Sequence, residues 1–149
     1  MRALLFAAVA SLVLAAASAA AAATVEVKDA WIRTPPPGAP TAAGYATLTN
    51  HEISSDRLMG AHSAAAGVAL HQMSMTGGVM RMRPVTGGLP IGASASVSLS
   101  PNGYHLMLTG LKAPLKAGQH VRIVLQFQRA GDIAADFVVR DAGPGGMHM

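Results

Sequence analysis

Cysteine is absent from all 149 residues. Without a thiol the chain has no disulfide staple, no cysteine nucleophile, no thiolate-rich zinc site and no thiolate electron-transfer centre. Acidic side chains are also scarce. Seven Asp and Glu lie scattered along the sequence, with no paired carboxylates and no defensible Ser/His/Asp order. General acid–base and nucleophilic catalysis therefore lack their usual groups, and no enzyme is expected. Aromatics number one Trp, two Tyr and three Phe, and the eleven Lys and Arg are dispersed. That argues against a nucleic-acid surface. The formal charge of +4, or +3 without Arg2, describes a solvated, mildly basic surface that can steer toward an acidic partner.

Long apolar runs are missing except at the start. Met1-Arg2 is followed by an uncharged stretch from Ala3 to Ala17 and by small residues from Ser18 to Ala23. This order reads as a secretory signal peptide over residues 1–23, with cleavage between Ala20 and Thr24. The run is alanine-heavy and has no basic stop-transfer flank, so no stable membrane anchor is expected, and no cysteine follows it to carry a lipid. The remaining chain, from about Thr24, has the size of one domain and is long enough for a core without cross-links.

Through that domain, short apolar or alternating runs are separated by Gly, Pro and Asn. Strands are expected around Thr24–Arg33, Ala43–Thr49, Asp56–Ser63, Gly67–Met73, Val79–Pro84, Ala95–Leu99, Tyr104–Leu108, His120–Gln128 and Ile133–Val139. Gly77-Gly78 and Pro101-Asn102-Gly103 read as turns, Gly87 to Pro90 as a loop, and Gly110–Gly118 as a connection with room for a helical turn. Regular short strands with no long amphipathic helix predict an all-β Greek-key sandwich or small barrel over residues 24–141. Met59 is expected in the core and Trp31 likewise. His51, His62 and His120 are expected on the surface. Residues 142–149 are Gly- and Pro-rich and end Met147-His148-Met149, a flexible tail in this reading.

What the chain has in quantity is methionine and histidine, nine and six residues. Side chains alternate along a strand, so Met80 and Met82 share one face of their strand and His105 and Met107 share one face of theirs. His71 and Met73 do the same in a third. Thioether sulfur and imidazole are neutral donors. Soft thioethers select Cu(I), and a neutral ligand set leaves the ion's charge uncompensated, which disfavours Cu(II). Such ligands are singly weak and suit release as well as capture. Met and His also escape disulfide chemistry, although Met can still form a sulfoxide. Any one of these residues alone is more often core filler or a solvated imidazole.

His71, ten intervening residues, Met82, and then His105-x-Met107 resembles the copper-binding pattern of the PCuAC family of periplasmic copper chaperones. Val79-Met80-Arg81-Met82-Arg83-Pro84-Val85 and Gly103-Tyr104-His105-Leu106-Met107-Leu108-Thr109-Gly110-Leu111 resemble its two most characteristic segments. Ala30-Trp31-Ile32-Arg33 and Ala43-Gly44-Tyr45 through Asn50 resemble its opening strands. The resemblance covers about Val25 to Val139. Two departures stand out: Gln72 occupies a position where the family often has Met, and the 22 residues between Met82 and His105 are one more than the family pattern.

The resemblance implies a cupredoxin-like β-sandwich, in the periplasm, that holds Cu(I) with His71, Met82, His105 and Met107. It also implies delivery toward the binuclear copper centre of cytochrome c oxidase, through a thiol-bearing assembly factor or directly to the oxidase copper subunit. From their strand faces, Met73 and Met80 are candidate auxiliary donors, Met80 being the rival of Met82. Met147, His148 and Met149 are a candidate second site able to take Cu(II). Copper sequestration or uptake without oxidase delivery shares the same site. An electron-transfer cupredoxin would need a thiolate that is absent, and a metal-free interaction module would bind no copper.

Overall fold

The computed structural model describes residues 24–141; the expected leader (1–23) and the Met-His-Met tail (142–149) lie outside them. Ten strands fill the described chain: β1 (Val25–Arg33), β2 (Ala42–Asn50), β3 (Asp56–His62), β4 (Gly67–Thr76), β5 (Val79–Pro84), β6 (Leu89–Ile91), β7 (Ser96–Ser98), β8 (Tyr104–Thr109), β9 (His120–Phe127) and β10 (Gly131–Arg140). They join in the hydrogen-bonded order β5-β4-β8-β2-β1-β10-β9-β3-β6, with β7 on β2. All pairs are antiparallel except β1 with β10. The path folds over on itself into the expected cupredoxin-like sandwich around a single core.

Alternation explains the core. Along β9, Val121, Ile123, Leu125 and Phe127 are buried while His120, Arg122 and Gln126 are exposed, the period of a strand with one wet face. Leu106 and Leu108 of β8, Leu70 of β4, Leu48 of β2 and Ile32 of β1 meet Ile123, Leu125, Phe137, Leu58 and Ile91 in that core. Full burial of one such side chain is worth about 1.5–3 kcal/mol.

Two buried polar side chains tie loops to this frame. Asp56 accepts backbone N–H bonds from Arg57 (2.7 Å), Arg129 (2.8 Å) and Ala130 (2.9 Å), fixing the start of β3 to the β9–β10 turn. The Asn50 amide donates to the carbonyls of Ser54 (2.9 Å) and Gly92 (3.2 Å) while its Oδ1 accepts from the Glu52 N–H (3.0 Å). The buried polar groups of these two side chains are thereby satisfied.

Three sequence expectations need correction. Met59 is not core: Leu58 takes the inward position on β3, and alternation turns Met59 outward, leaving it exposed. Residues 110–118 contain bends and turns and no helical turn. Leu89–Ile91 is a short strand, not only loop, because Leu89 and Ile91 are buried against β3. Trp31 is buried as expected, and His51, His62 and His120 are exposed.

Candidate metal centre

The site grows from one turn. Gly77 and Gly78 both have positive φ, 59° and 77°, the conformation of a two-residue hairpin that Gly accepts without steric cost. It sets Thr76 opposite Val79, and the register then runs without a slip through Met75 with Met80, Ser74 with Arg81, Met73 with Met82, Gln72 with Arg83 and His71 with Pro84. On its other side β4 pairs with β8, placing His71 directly opposite His105 and Ala69 opposite Met107.

Residues opposed across an antiparallel pair project from the same face. His71, Met73 and Met75 of β4, Met80 and Met82 of β5, and His105 and Met107 of β8 therefore share one face of a three-stranded segment. Leu70, Leu106 and Leu108 occupy the opposite, core-facing side. All four residues of the expected ligand set are brought to this face. Met82 lies two residues along the register from the His71 row and Met80 lies four, so Met82 is the nearer of the two rivals. Met73 stands between His71 and Met75 on β4 and directly faces Met82.

The two imidazoles have ring centroids 6.0 Å apart and an interplanar angle of 67°. His105 is only 3% exposed. Its Nδ1 lies 3.3 Å from the Gly103 carbonyl; in the tautomer that donates this bond, Nε2 carries a free lone pair, as a metal-ligating histidine requires. Burial, the dominant cause, pulls the His105 pKa below the ordinary histidine value; the Gly103 contact opposes this and the nearby His71 adds to the depression. The ring is thereby favoured in its neutral, donor form. His71 Nδ1 is buried with no hydrogen-bond partner among the described residues. A buried ring nitrogen left unpaired costs about 1–3 kcal/mol, and a metal ion would satisfy it.

Exposure is graded across the face. His105 is buried, His71, Met73 and Met107 are half-buried, and Met82 is 45% exposed at the outer strand. Toward the middle of the sheet, Ala43 of β2 opposes Met107, and Tyr45, two residues on, shares its side. Tyr45 faces Trp31 across β1 and β2, with ring centroids 4.8 Å apart, and the Arg33 guanidinium sits 5.9 Å above the indole. Burial raises the Tyr45 pKa. An ion on the donor face would therefore have ordered protein on its inner side and solvent beyond β5.

Among the described residues no three His, Asp or Glu side chains converge. Two imidazoles meet here on a face that also carries methionine thioethers, and a donor set of that kind fits a soft ion. The direct opposition of His71 and His105 had no signal in the sequence, whereas the facing of Met73 and Met82 follows from the two-glycine turn. Met147, His148 and Met149 lie outside the described residues.

Comparison with known proteins agrees with this architecture. The family model described as "Putative lipoprotein LpqE-like" matches residues 25–139. A protein named "Putative lipoprotein Lxx21020", from Leifsonia xyli subsp. xyli (strain CTCB07), is 32% identical over 118 residues, 78% of this chain and 70% of that one. The copper-bound PCuAC domain of PmoF2 has the same fold at 22% identity, with a TM-score of 0.66 over 80% of this chain and 94% of that one. The solution structure of the Cu(I) form of DR1885 from Deinococcus radiodurans is 32% identical, with a TM-score of 0.61 over 83% of each chain. The chain belongs to the LpqE-like family, the same family as the PCuAC domains.

Proposed function

We propose that this protein is an exported Cu(I) metallochaperone that carries copper on the β4–β5–β8 face and releases it by ligand exchange. The observation that carries the reading is the His71–His105 pair, with one ring nitrogen orphaned in a buried setting on a face otherwise furnished with thioethers. His71, His105, Met107 and Met82 hold the ion, and Met73 and Met80 are reserve donors. The copper-bound forms of PmoF2 and DR1885 support copper as the cargo.

The chemistry follows from the donors. Neutral His and Met ligands favour Cu(I) over Cu(II), and each is weak enough to be displaced by an incoming thiolate. Met82 and Met80 at the exposed outer strand are the first to leave, while the buried His105 is the last. The recipient in this reading is a thiol-bearing copper-assembly factor or the oxidase copper subunit, with the binuclear copper centre of cytochrome c oxidase as destination. Residues 1–23 direct export to the periplasm. The lipoprotein name of the relatives does not extend to lipidation of these 149 residues, which hold no cysteine.

Met147, His148 and Met149, outside the described residues, are in this reading a second, weaker site able to take Cu(II).

Competition for Cu(I) between the protein and a chromogenic chelator tests the ligand set. The His105→Ala/Met107→Ala double variant is expected to lose at least tenfold in affinity; binding equal to wild type would overturn it. Normal oxidase copper loading at limiting copper in cells lacking the protein would assign it to sequestration or uptake instead.

A further inference from the structure

Strand β5 ends the sheet. Among the described residues it pairs with β4 alone, and all six of its residues are exposed. An open strand edge presents unpaired main-chain groups to any extended chain that matches it. The two-residue turn determines which groups these are. Thr76 and Val79 close it as a hydrogen-bonded pair, so the pairs alternate from there. Met75 with Met80, Met73 with Met82 and His71 with Pro84 are the non-bonded pairs. The neighbouring bonds follow this phase: the Val85 N–H donates to Leu70 O at 3.0 Å, and the Met73 N–H turns the other way, to Gly103 O at 3.1 Å. The N–H and C=O groups of Met80 and Met82 therefore point to the free edge, and Pro84, which has no N–H, ends the ladder.

The side chains along this edge are sorted. Met80 and Met82, 42% and 45% exposed, lie on the donor face with His71 and His105. Arg81 and Arg83 lie on the other face, and among the described residues neither has an ion-pair partner. A second copy of β5 paired edge to edge about a two-fold axis would bring these arginines against each other, which is unfavourable between adjacent strands. The complementary strand carries Asp or Glu on one face and soft donors on the other.

We infer that the β5 edge is the docking strand for a partner segment in which acidic residues alternate with Met or Cys, added to the sheet by hydrogen bonds to the main chain of Met80 and Met82. This deepens the copper-carrier reading and rests on it for its purpose: the added strand sets its sulfur donors beside Met82, where an incoming ligand displaces an outgoing one without the ion entering solvent. Strand addition draws affinity from the main chain and specificity from alternate side chains, and the arginines speed encounter with an acidic partner.

The test uses the copper-free full chain and a nine-residue peptide alternating Glu and Met, followed by amide NMR. Expected are shifts confined to β5 and β4 and centred on Met80 and Met82. A peptide N-methylated on its β5-facing amides should bind at least fivefold more weakly. So should the block-ordered peptide of the same composition. Arg81→Glu/Arg83→Glu should weaken peptide binding by at least fivefold and leave Cu(I) affinity within about threefold of wild type. Equal binding of the block-ordered or methylated peptide, shifts centred elsewhere, or dimerisation of the chain through β5 in sedimentation would overturn the proposal. Loss of the copper-carrier reading would register separately, as a wild-type protein that binds the peptide but not Cu(I).

Discussion

His71 and His105 stand directly opposite each other on β4 and β8, with ring centroids 6.0 Å apart. They differ in how the fold treats them. His105 has the Gly103 carbonyl as a partner, whereas the buried Nδ1 of His71 has none among the described residues. In the absence of metal, His71→Ala should be neutral to mildly stabilising, since it removes an unsatisfied buried group worth about 1–3 kcal/mol. His105→Ala should destabilise by about 1–3 kcal/mol through lost packing and a lost hydrogen bond. Urea unfolding of the two apo variants checks the contrast. Equal destabilisation would mean that His71 is already satisfied.

The hairpin that carries Met82 depends on its turn. An alanine at Gly77 or Gly78 meets no atom within 4 Å but must adopt positive φ, at about 1 kcal/mol each. The expected outcome is a modest loss of global stability with faster amide exchange along β5, and weaker Cu(I) binding because Met82 is held less firmly. Unchanged exchange along β5 in the double alanine variant would show that the turn does not hold the register.

Asp56 tests the frame independently of the site. Asp56→Ala leaves three backbone N–H groups at Arg57, Arg129 and Ala130 without their acceptor. A cost of about 2–4 kcal/mol is expected, mostly from unsatisfied buried donors. Cu(I) affinity of the fraction that stays folded should match wild type, since Asp56 belongs to β3, which pairs with β6 and β9 and carries none of the donor residues. Thermal unfolding together with Cu(I) titration reads both.

The acid limb of stability should include Glu26. Its carboxyl is held below the ordinary carboxylate value, first by the hydrogen bond with His51 at 2.8 Å and then with help from Lys28. A depressed folded pKa means that the unfolded chain takes up the proton first. The contribution is therefore present above the ordinary carboxylate pKa and is lost as pH falls through the lowered folded value. The pair is exposed, so the effect is small and salt-sensitive. Glu26→Gln should flatten that part of the urea-midpoint profile below the ordinary carboxylate pKa; an unchanged profile would show that the His51 contact does not persist in solution.

Local order explains which features were legible in the sequence. Gly77-Gly78 fixes a two-residue turn, and from it the facing of Met73 with Met82 and Met75 with Met80 follows by counting. The His71–His105 opposition is not local: β4 and β8 are brought together by the core burial of Leu70, Leu106 and Leu108, and alternation within each strand carries no information on their mutual register. Met59 shows the same limit. Its hydrophobicity suggested the interior, but the phase of β3 is set by Leu58, and phase decides the face. The exposure of β5 on both sides was likewise hidden, because a Met/Arg alternation resembles a half-buried strand until the edge position of that strand is known.

X-ray absorption at the copper K-edge of the Cu(I)-loaded chain tests the central claim most directly, with Met82→Leu/Met107→Leu and a chain lacking residues 142–149 alongside. Expected is a mixed shell of imidazole nitrogen and thioether sulfur, with the sulfur contribution reduced in the double Leu variant and retained without the tail. A shell of nitrogen and oxygen alone, or a sulfur contribution that survives in the double variant and disappears with the tail, would contradict the assignment of copper to the β4–β5–β8 face.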